Sequence, residues 1–563
     1  MAFMSHNGST RARSFPPRAW FVALVLVGCG STTAPPTGVL GADARVLDVA
    51  DAAGREVHRP SCLRSGEPSP PTRTWFVDAT SRDPLLAAAI APAPGVLWRG
   101  VAAGDIDGDG DVDLAVARGQ AATRWLANDG AMRFSLADAS LAPGQAVLLA
   151  DFDNDGDLDL VVGGAEVFVH EALGAGRFGA AVRVTTLSRP ALSLNAGDLD
   201  GDGRLDLVVG GERELRVLAN VGGLALQDAS ARWSLALVPH GFVHAAMVFD
   251  IDDDGAIDLF VSIDSDAADE GSGPPPGITD GDAAMLRRGE REGRAHFEDH
   301  ARRLGLLGPR AGMGGTVGDL DGDGDLDLYL SNIGRNHLLI RGTDGIFADA
   351  TDRFGMGFAQ RDPAGCAAST QPRACLHYTW MQQRADFDGD GHDDLAVAAA
   401  RFSQSPQLPL FVQGDGRGGY QRVSPGVDCF AARTLLAADL DGDTDPDLVS
   451  TTALGELLLL RNDTRGAPRR CATLRGVASN REGRGAVVTA VSAAGQRAPK
   501  VMAPGGGVLG DGPATVCFGG GADPPVRFEV RWPSGRRQTA DARDGTVILQ
   551  EPVEASTQDA GSR

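Results

Sequence analysis

Seven stretches of the chain repeat one hydropathy pattern. A short run of small and apolar residues ("GVAAGD", "AVLLAD", "GGTVGD") leads into an acidic segment. A β-rich run follows ("DLAVARG", "DLVVGGA", "DLYLSNI"), then a glycine turn that ends on an aromatic or apolar residue ("NDGAMRF", "GAGRF", "TDGIF", "GDGRGGY"). Apolar runs this short, bounded by Gly, Asp and Asn, predict strands. Each unit therefore reads as strand, acidic loop, strand, hairpin turn, strand. Sustained helical periodicity is missing between the acidic segments, so the expected class is all-β.

The acidic segments are "DIDGDGDVDL" from Asp105 (loop 1), "DFDNDGDLDL" from Asp151 (loop 2), "DLDGDGRLDL" from Asp198 (loop 3) and "DIDDDGAIDL" from Asp250 (loop 4). Then come "DLDGDGDLDL" from Asp319 (loop 5), "DFDGDGHDDL" from Asp386 (loop 6) and "DLDGDTDPDL" from Asp439 (loop 7). Their starts lie 46, 47, 52, 69, 67 and 53 residues apart, a period that marks a propeller, solenoid or array. Asp-Ala-Thr/Ser segments follow the turn in several units ("SLADAS", "ALQDAS", "FADAT"). One more, "FVDATSR" from Phe76, precedes every acidic loop, and none follows "ELLLLRND" after the last. The amino-terminal segment is therefore expected to supply the strand the last unit lacks, closing a propeller that keeps only short, protected edges.

Carboxylates at positions 1, 3, 5 and 9, with Gly at 6, have the spacing of a hard-cation loop, and calcium takes six to eight oxygens. In a flat strand, alternate side chains on one face stand roughly 6–7 Å apart, too far to share an ion. A glycine at position 6 lets the backbone turn and gather them. The expected ligands are Asp105, Asp107, Asp109 and Asp113; Asp151, Asp153, Asp155 and Asp159; Asp198, Asp200, Asp202 and Asp206; and Asp250, Asp252, Asp254 and Asp258. The later loops add Asp319, Asp321, Asp323 and Asp327; Asp386, Asp388, Asp390 and Asp394; and Asp439, Asp441, Asp443 and Asp447. Position 7 is expected to offer only its carbonyl, because its side chain varies and is Arg204 in loop 3. Loop 7 is the weakest copy, with Thr444 in place of Gly and Pro446 beside it. An EF-hand would need Glu at position 12, where these loops have Val, Leu or Ser. Thrombospondin-type repeats would need interleaved cysteines and closer spacing.

At 563 residues more than one domain is expected. The net charge of −23 argues against nucleic acid, but 34 of the 75 acidic residues lie in the seven loops, so the charge is local. At the amino end Arg11, Arg13 and Arg18 precede the apolar run "AWFVALVLVG", too short for a permanent span. It ends in Leu26-Val27-Gly28-Cys29, which resembles a bacterial lipobox. The resemblance implies a signal peptide over 1–28, lipidation of Cys29, a tether over 29–74, and export to the bacterial cell envelope, at the outer membrane or cell surface. Membrane contact is then expected only through that lipid. Six further cysteines (Cys62, Cys366, Cys375, Cys429, Cys471, Cys517) suggest disulfides. Cys366 with Cys375 is the first expected pair, and Cys471 with Cys517 is another that bridges two strands.

The acidic loops resemble the FG-GAP/VCBS repeats of integrin α-chain propellers and many bacterial surface proteins, over residues 75–465. That resemblance implies a seven-bladed β-propeller with up to seven calcium ions, each between the first two strands of a blade. Seven divalent ions, fourteen positive charges, would bring the net charge from −23 to −9. Beyond "LLLLRND" the pattern changes. Asn480, Gly483, Gly485-Ala486, Phe518-Gly519 and Trp532-Pro533-Ser534-Gly535 resemble the ASPIC/UnbV domain, also found in a cartilage acidic protein. The segment "APGGGVLGDG" and Cys517 depart from the family's pattern. A small β-domain over 468–552 is expected, then a disordered tail over 553–563.

No catalytic motif emerges: there is no G-x-S-x-G, P-loop or H-E-x-x-H. His240 and His244 approach loop 4 along a strand and are expected in the core, as are Trp380 and Arg384 before loop 6. The expected function is a calcium-binding surface scaffold whose partner is an extracellular protein or glycan, not an enzyme. The alternative is an extracellular enzyme acting on polysaccharide, for which 7 Trp and 3 Tyr are a thin supply of sugar-stacking rings. Two inserts, "DAADEGSGPPPGITDGD" and "DPAGCAASTQPRAC", lengthen their units and are the expected places for partner contact.

Overall fold

The alternation of apolar runs and acidic loops produces seven four-stranded antiparallel sheets in sequence order. A computed structural model describes residues 47–50, 56–59, 75–80, 90–91 and 99–553, except 138–139, 236–240, 266–281, 291–293, 307–311, 358–377, 400–408, 425, 428–429, 453–454, 465–467, 504 and 506–509. Cys29, Cys62, Cys366, Cys375, Cys429, His240 and nearly all of both inserts lie outside the described residues.

In every sheet the first and second strands flank the acidic loop. In sheet 1, Val101–Gly104 pairs with Asp113–Arg118 so that Gly104 faces Asp113 across the loop. These first and second strands are buried almost throughout, whereas the outer strand Phe134–Leu136 is half-buried to exposed. The seven first strands are Val101–Gly104, Ala146–Ala150, Ser193–Gly197, Gly241–Phe249, Gly312–Gly318, Thr379–Ala385 and Ala432–Ala438. Each touches the next, and the last touches the first. The sheets form a closed ring, a β-propeller with its core between neighbouring sheets.

Closure happens where the Phe76 repeat predicts it. Sheet 7 takes Ala432–Ala438, Asp447–Thr452 and Leu457–Asn462 from the end of the ring, and its fourth strand is Phe76–Asp78. Phe76 faces Asn462, and Asp78 faces Leu460. Phe76 is 1% exposed, and its ring meets Phe387 and Phe411 at 5.5 and 5.7 Å. Trp75 stacks on Phe387 at 6.2 Å. Burying two large rings at the seam fixes the register of a strand only three residues long.

The carboxyl-terminal strands make two further sheets. One orders Thr515–Phe518, Arg470–Arg475 and Gly545–Gln550; the other orders Arg497–Val501, Val487–Ser492, Pro525–Arg531 and Arg537–Asp541. Phe518, Phe528, Val530, Trp532 and Leu549 fill the space between them. Cys471 and Cys517 face each other across the first sheet and are joined by a disulfide. Behind them the buried Glu551 carboxylate accepts three successive amides, those of Val477, Ala478 and Ser479, at 2.7–2.9 Å.

Candidate metal loops

Each loop is held at its edges by apolar residues. Position 2 (Ile106, Phe152, Leu199, Ile251, Leu320, Phe387, Leu440) is at most 5% exposed, and the leucine at position 10 is 0% exposed in all seven. Between these anchors the chain has to turn twice. Position 6 lies in the left-handed region in every loop, from Gly203 (φ 86) to Gly156 (φ 106), with Thr444 (φ 71) in loop 7. Position 4 does the same, as Gly108, Asn154, Gly201, Asp253, Gly322, Gly389 and Gly442 (φ 62 to 83). These are the residue types that tolerate this region. Two left-handed residues two apart fold the aspartates inward, so position 4 shapes the loop as much as the glycine at 6.

The hydrogen bonds repeat in all seven loops. The position-1 carboxylate accepts the amide of position 6 at 2.9–3.1 Å. The position-5 carboxylate accepts the amide of position 7 at 2.8–3.0 Å. Position 9 (Asp113, Asp159, Asp206, Asp258, Asp327, Asp394, Asp447) is at most 1% exposed. One of its oxygens accepts the position-2 amide at 2.8–3.0 Å. The other accepts an amide of the third strand, or in sheet 2 of Ala172 just past it, at 2.7–3.0 Å. It is thus a brace that ties loop to sheet as well as a ligand candidate.

The geometry gathers positions 1, 3 and 9 most tightly. Carboxylate oxygens of Asp105, Asp107 and Asp113 lie within 4.8 Å of one another, as do those of the equivalent trios in loops 2, 3 and 5. In loop 4 the trio is Asp250, Asp252 and Asp254. Burial, with help from neighbouring carboxylates and against the amide donors, pushes Asp258 and Asp447 up to about 8. The same causes push Asp159 and Asp327 up to about 7, and Asp206 and Asp394 rise well above the usual range. So many buried carboxylates cannot all ionise together without a cation among them. Two oxygens at position 3, Asp252 Oδ1 and Asp441 Oδ1, are buried without a hydrogen-bond donor. An all-oxygen donor set with unfilled lone pairs fits a hard divalent cation. Arg204, at position 7, turns its side chain to the position-5 carboxylate of Asp202 and to the carbonyl of Asn220.

Several contributing residues lie outside the loops. Asn128 Nδ2 donates to the Leu440 carbonyl at 2.8 Å, Asn220 to Phe152 at 2.7 Å, and Asn462 to Phe387 at 2.9 Å. Each acceptor is position 2 of the preceding loop in the ring. At the same register Arg287 and Arg341 donate to the position-3 carbonyls of Asp200 and Asp252. These side chains stitch loop to loop. Asn fourteen or fifteen residues after position 9 in three units is the signal that would have found them.

The carboxyl-terminal domain sits on this loop face. Glu482 accepts the Asp151 amide at 3.0 Å, and Asn154 accepts that of Arg481 at 2.8 Å. Lys500, the chain's single lysine, is buried and donates to Asp393 and to the Cys517 carbonyl, both at 2.7 Å. Arg469 reaches the Asp386 carbonyl at 2.7 Å and pairs with Asp445. A cavity of about 610 Å³ remains between domain and ring, and Asp105, Asp386 and Asp439 are part of its wall. His244 is buried between Phe242 and Trp380, and burial lowers it to about 3, so it is neutral. Arg384 is buried against Asp393 at 2.8 Å.

Comparison with known families agrees with this architecture. A model for FG-GAP-like repeats matches residues 105–162, 198–261 and 386–450, and one for ASPIC and UnbV matches 476–552. No curated protein matches the chain. Among solved structures it is similar to an Agrocybe aegerita lectin that recognises non-reducing terminal N-acetylglucosamine, at 18% identity over 57% of this chain and 78% of that one, TM-score 0.36. It is also similar to BBS1N in complex with ARL6DN, at 13% identity over 69% and 98%, TM-score 0.40. A third is the WD40 β-propeller domain of Doa1, at 9% identity over 66% and 95%, TM-score 0.35.

Proposed function

We propose that this chain, an FG-GAP-like repeat propeller with an ASPIC/UnbV domain behind it, is a calcium-stabilised binding scaffold of the bacterial cell surface, tethered through lipid on Cys29. The observation that carries the calcium part is the identical folding of the acidic loops with their buried carboxylates. Positions 1, 3, 5 and 9 would hold the ion, and calcium would supply the positive charge that lets them ionise inside the protein. By binding only the folded loops it would stabilise the ring.

The carboxyl-terminal domain occupies the loop face, so the partner, an extracellular protein or glycan, is assigned to the opposite face. Sheets 4 and 5 send their long inserts from strand ends remote from the acidic loops. In this reading the protein binds and does not catalyse. Metal analysis of the mature protein should find several calcium ions per chain, and chelation should lower the melting temperature by many degrees. Unchanged melting in chelator would refute the structural role. A screen against glycans and surface proteins should find binding that survives removal of the lipid. Turnover of a polysaccharide in that screen would refute the scaffold reading.

A further inference from the structure

Loop 4 differs from its sisters in what surrounds its carboxylates. Arg288 pairs with Asp252 at 2.8 Å and with Asp254 at 3.2 Å, and Arg303 reaches Asp252 at 3.9 Å. Arg531, from the carboxyl-terminal domain, pairs with Asp250 and, at 3.0 Å, with Asp253. Three of the four expected ligands therefore already carry a guanidinium, each through one oxygen, and Asp252 Oδ1 alone among the described oxygens of the trio is buried without a donor. Among the described ion pairs, loops 1, 2 and 5 have no arginine on any expected ligand, and loops 3 and 7 have one each, on Asp202 and Asp441.

The sheet register makes the difference a property of the sequence. In each sheet one amide in or just past the third strand donates to the position-9 carboxylate, and Arg288 is the residue after that donor in sheet 4. Its counterparts are Asp129, Leu173, Val221, Gly342, Asp415 and Asp463. None is cationic. Two guanidinium groups, each bridging two aspartates, match the charge of a divalent ion and offer donors in a fixed fork suited to carboxylates. The carboxylate trio of loop 4 also departs from those of loops 1, 2, 3 and 5, using position 5 in place of position 9.

We propose that loop 4 is closed by Arg288 and Arg531 in place of a metal ion, so that the ring takes at most six calcium ions and the carboxyl-terminal domain supplies part of the counter-charge of the remaining loop. This rests on the calcium reading of the other loops. Loop 4 is then one of the latches that hold that domain to the ring, and docking does not change with calcium concentration there.

Native mass spectrometry of the full chain tests it. Asp252→Asn should leave the calcium count unchanged, while Asp321→Asn at the same position of loop 5 should lower it by one. Arg288→Ala with Arg531→Ala should raise the count by one, because the vacated carboxylates then take an ion. Loss of one ion in Asp252→Asn, or no gain in the double variant, would overturn the proposal. A wild-type chain without calcium would refute the reading of the other loops, and melting in chelator would then decide the clamp. Arg288→Ala should lower that melting temperature by a few degrees, and an unchanged value would overturn it.

Discussion

Phe76→Ala tests whether the ring is closed by its own amino-terminal strand. The side chain is 1% exposed and touches Trp75, Phe387 and Phe411, so truncation removes a packed ring and leaves a cavity at the seam. Phe→Ala at such a site costs about 3–5 kcal/mol. The backbone pairs with Leu460–Asn462 survive the substitution, so the loss falls on opening of the seam. At about 1.4 kcal/mol per factor of ten, amide protection of 457–462 should fall by a factor of roughly a hundred to a few thousand. Hydrogen exchange read by mass spectrometry in millimolar calcium resolves this by segment, with 206–211 of sheet 3 as the internal reference. Val77→Ala is the control, since Val77 is 40% exposed and should change protection by less than about 0.5 kcal/mol. Unchanged exchange at 457–462 would show that 76–78 is appended to sheet 7 and does not close it, and the argument would fail.

Three other expectations follow from the loops. In chelator, burial raises the loop carboxylates above their unfolded range, so the folded state binds more protons than the unfolded state; melting temperature should rise as pH falls from about 8 to 5. With saturating calcium the trend should reverse, because protons then compete with the ion, and parallel profiles with and without chelator would contradict the site. Asn220→Ala removes donors to Phe152 (2.7 Å) and Leu205 (3.1 Å) and an acceptor for Gly222. It should cost about 2–3 kcal/mol in denaturant unfolding, with Asn220→Asp no better, and a loss under about 0.5 kcal/mol would dismiss the stitch. Thr444→Gly relieves a β-branched residue at φ 71 and should stabilise by about 1 kcal/mol in the same measurement, with destabilisation as the refuting result.

The loops were legible because their signal is local and repeated. Four aspartates at one spacing in each of seven loops, with apolar positions 2 and 10, determine strand ends and loop fold together. Even there, position 4 went unread, although Gly, Asn or Asp stands at it in every copy. The seam was legible through an extra "FVDATSR" at the wrong end of the chain. Asn128, Asn220, Asn462, Arg287 and Arg341 were not, since each acts on a loop 68 or more residues away and no local pattern states that distance. Nor did the pattern tell which face the carboxyl-terminal domain covers. That depends on single contacts such as Lys500 on Asp393 and Arg531 on Asp250, whose partners only the closed ring presents.

The seam also dictates an order of events during synthesis. Thr80 and Leu459, hydrogen-bonded in the finished ring, are 379 residues apart. The first strand of the propeller to leave the ribosome therefore waits for the whole of the last sheet before it has a neighbour. Until then sheet 1 has no partner on one side and Phe76 has no pocket. Chains that stop short of Leu457 have no strand for Phe76–Asp78 to join, however well their early sheets pack. Completion of the polypeptide, more than the strength of any one sheet, is what turns six stacked sheets and a loose end into a ring.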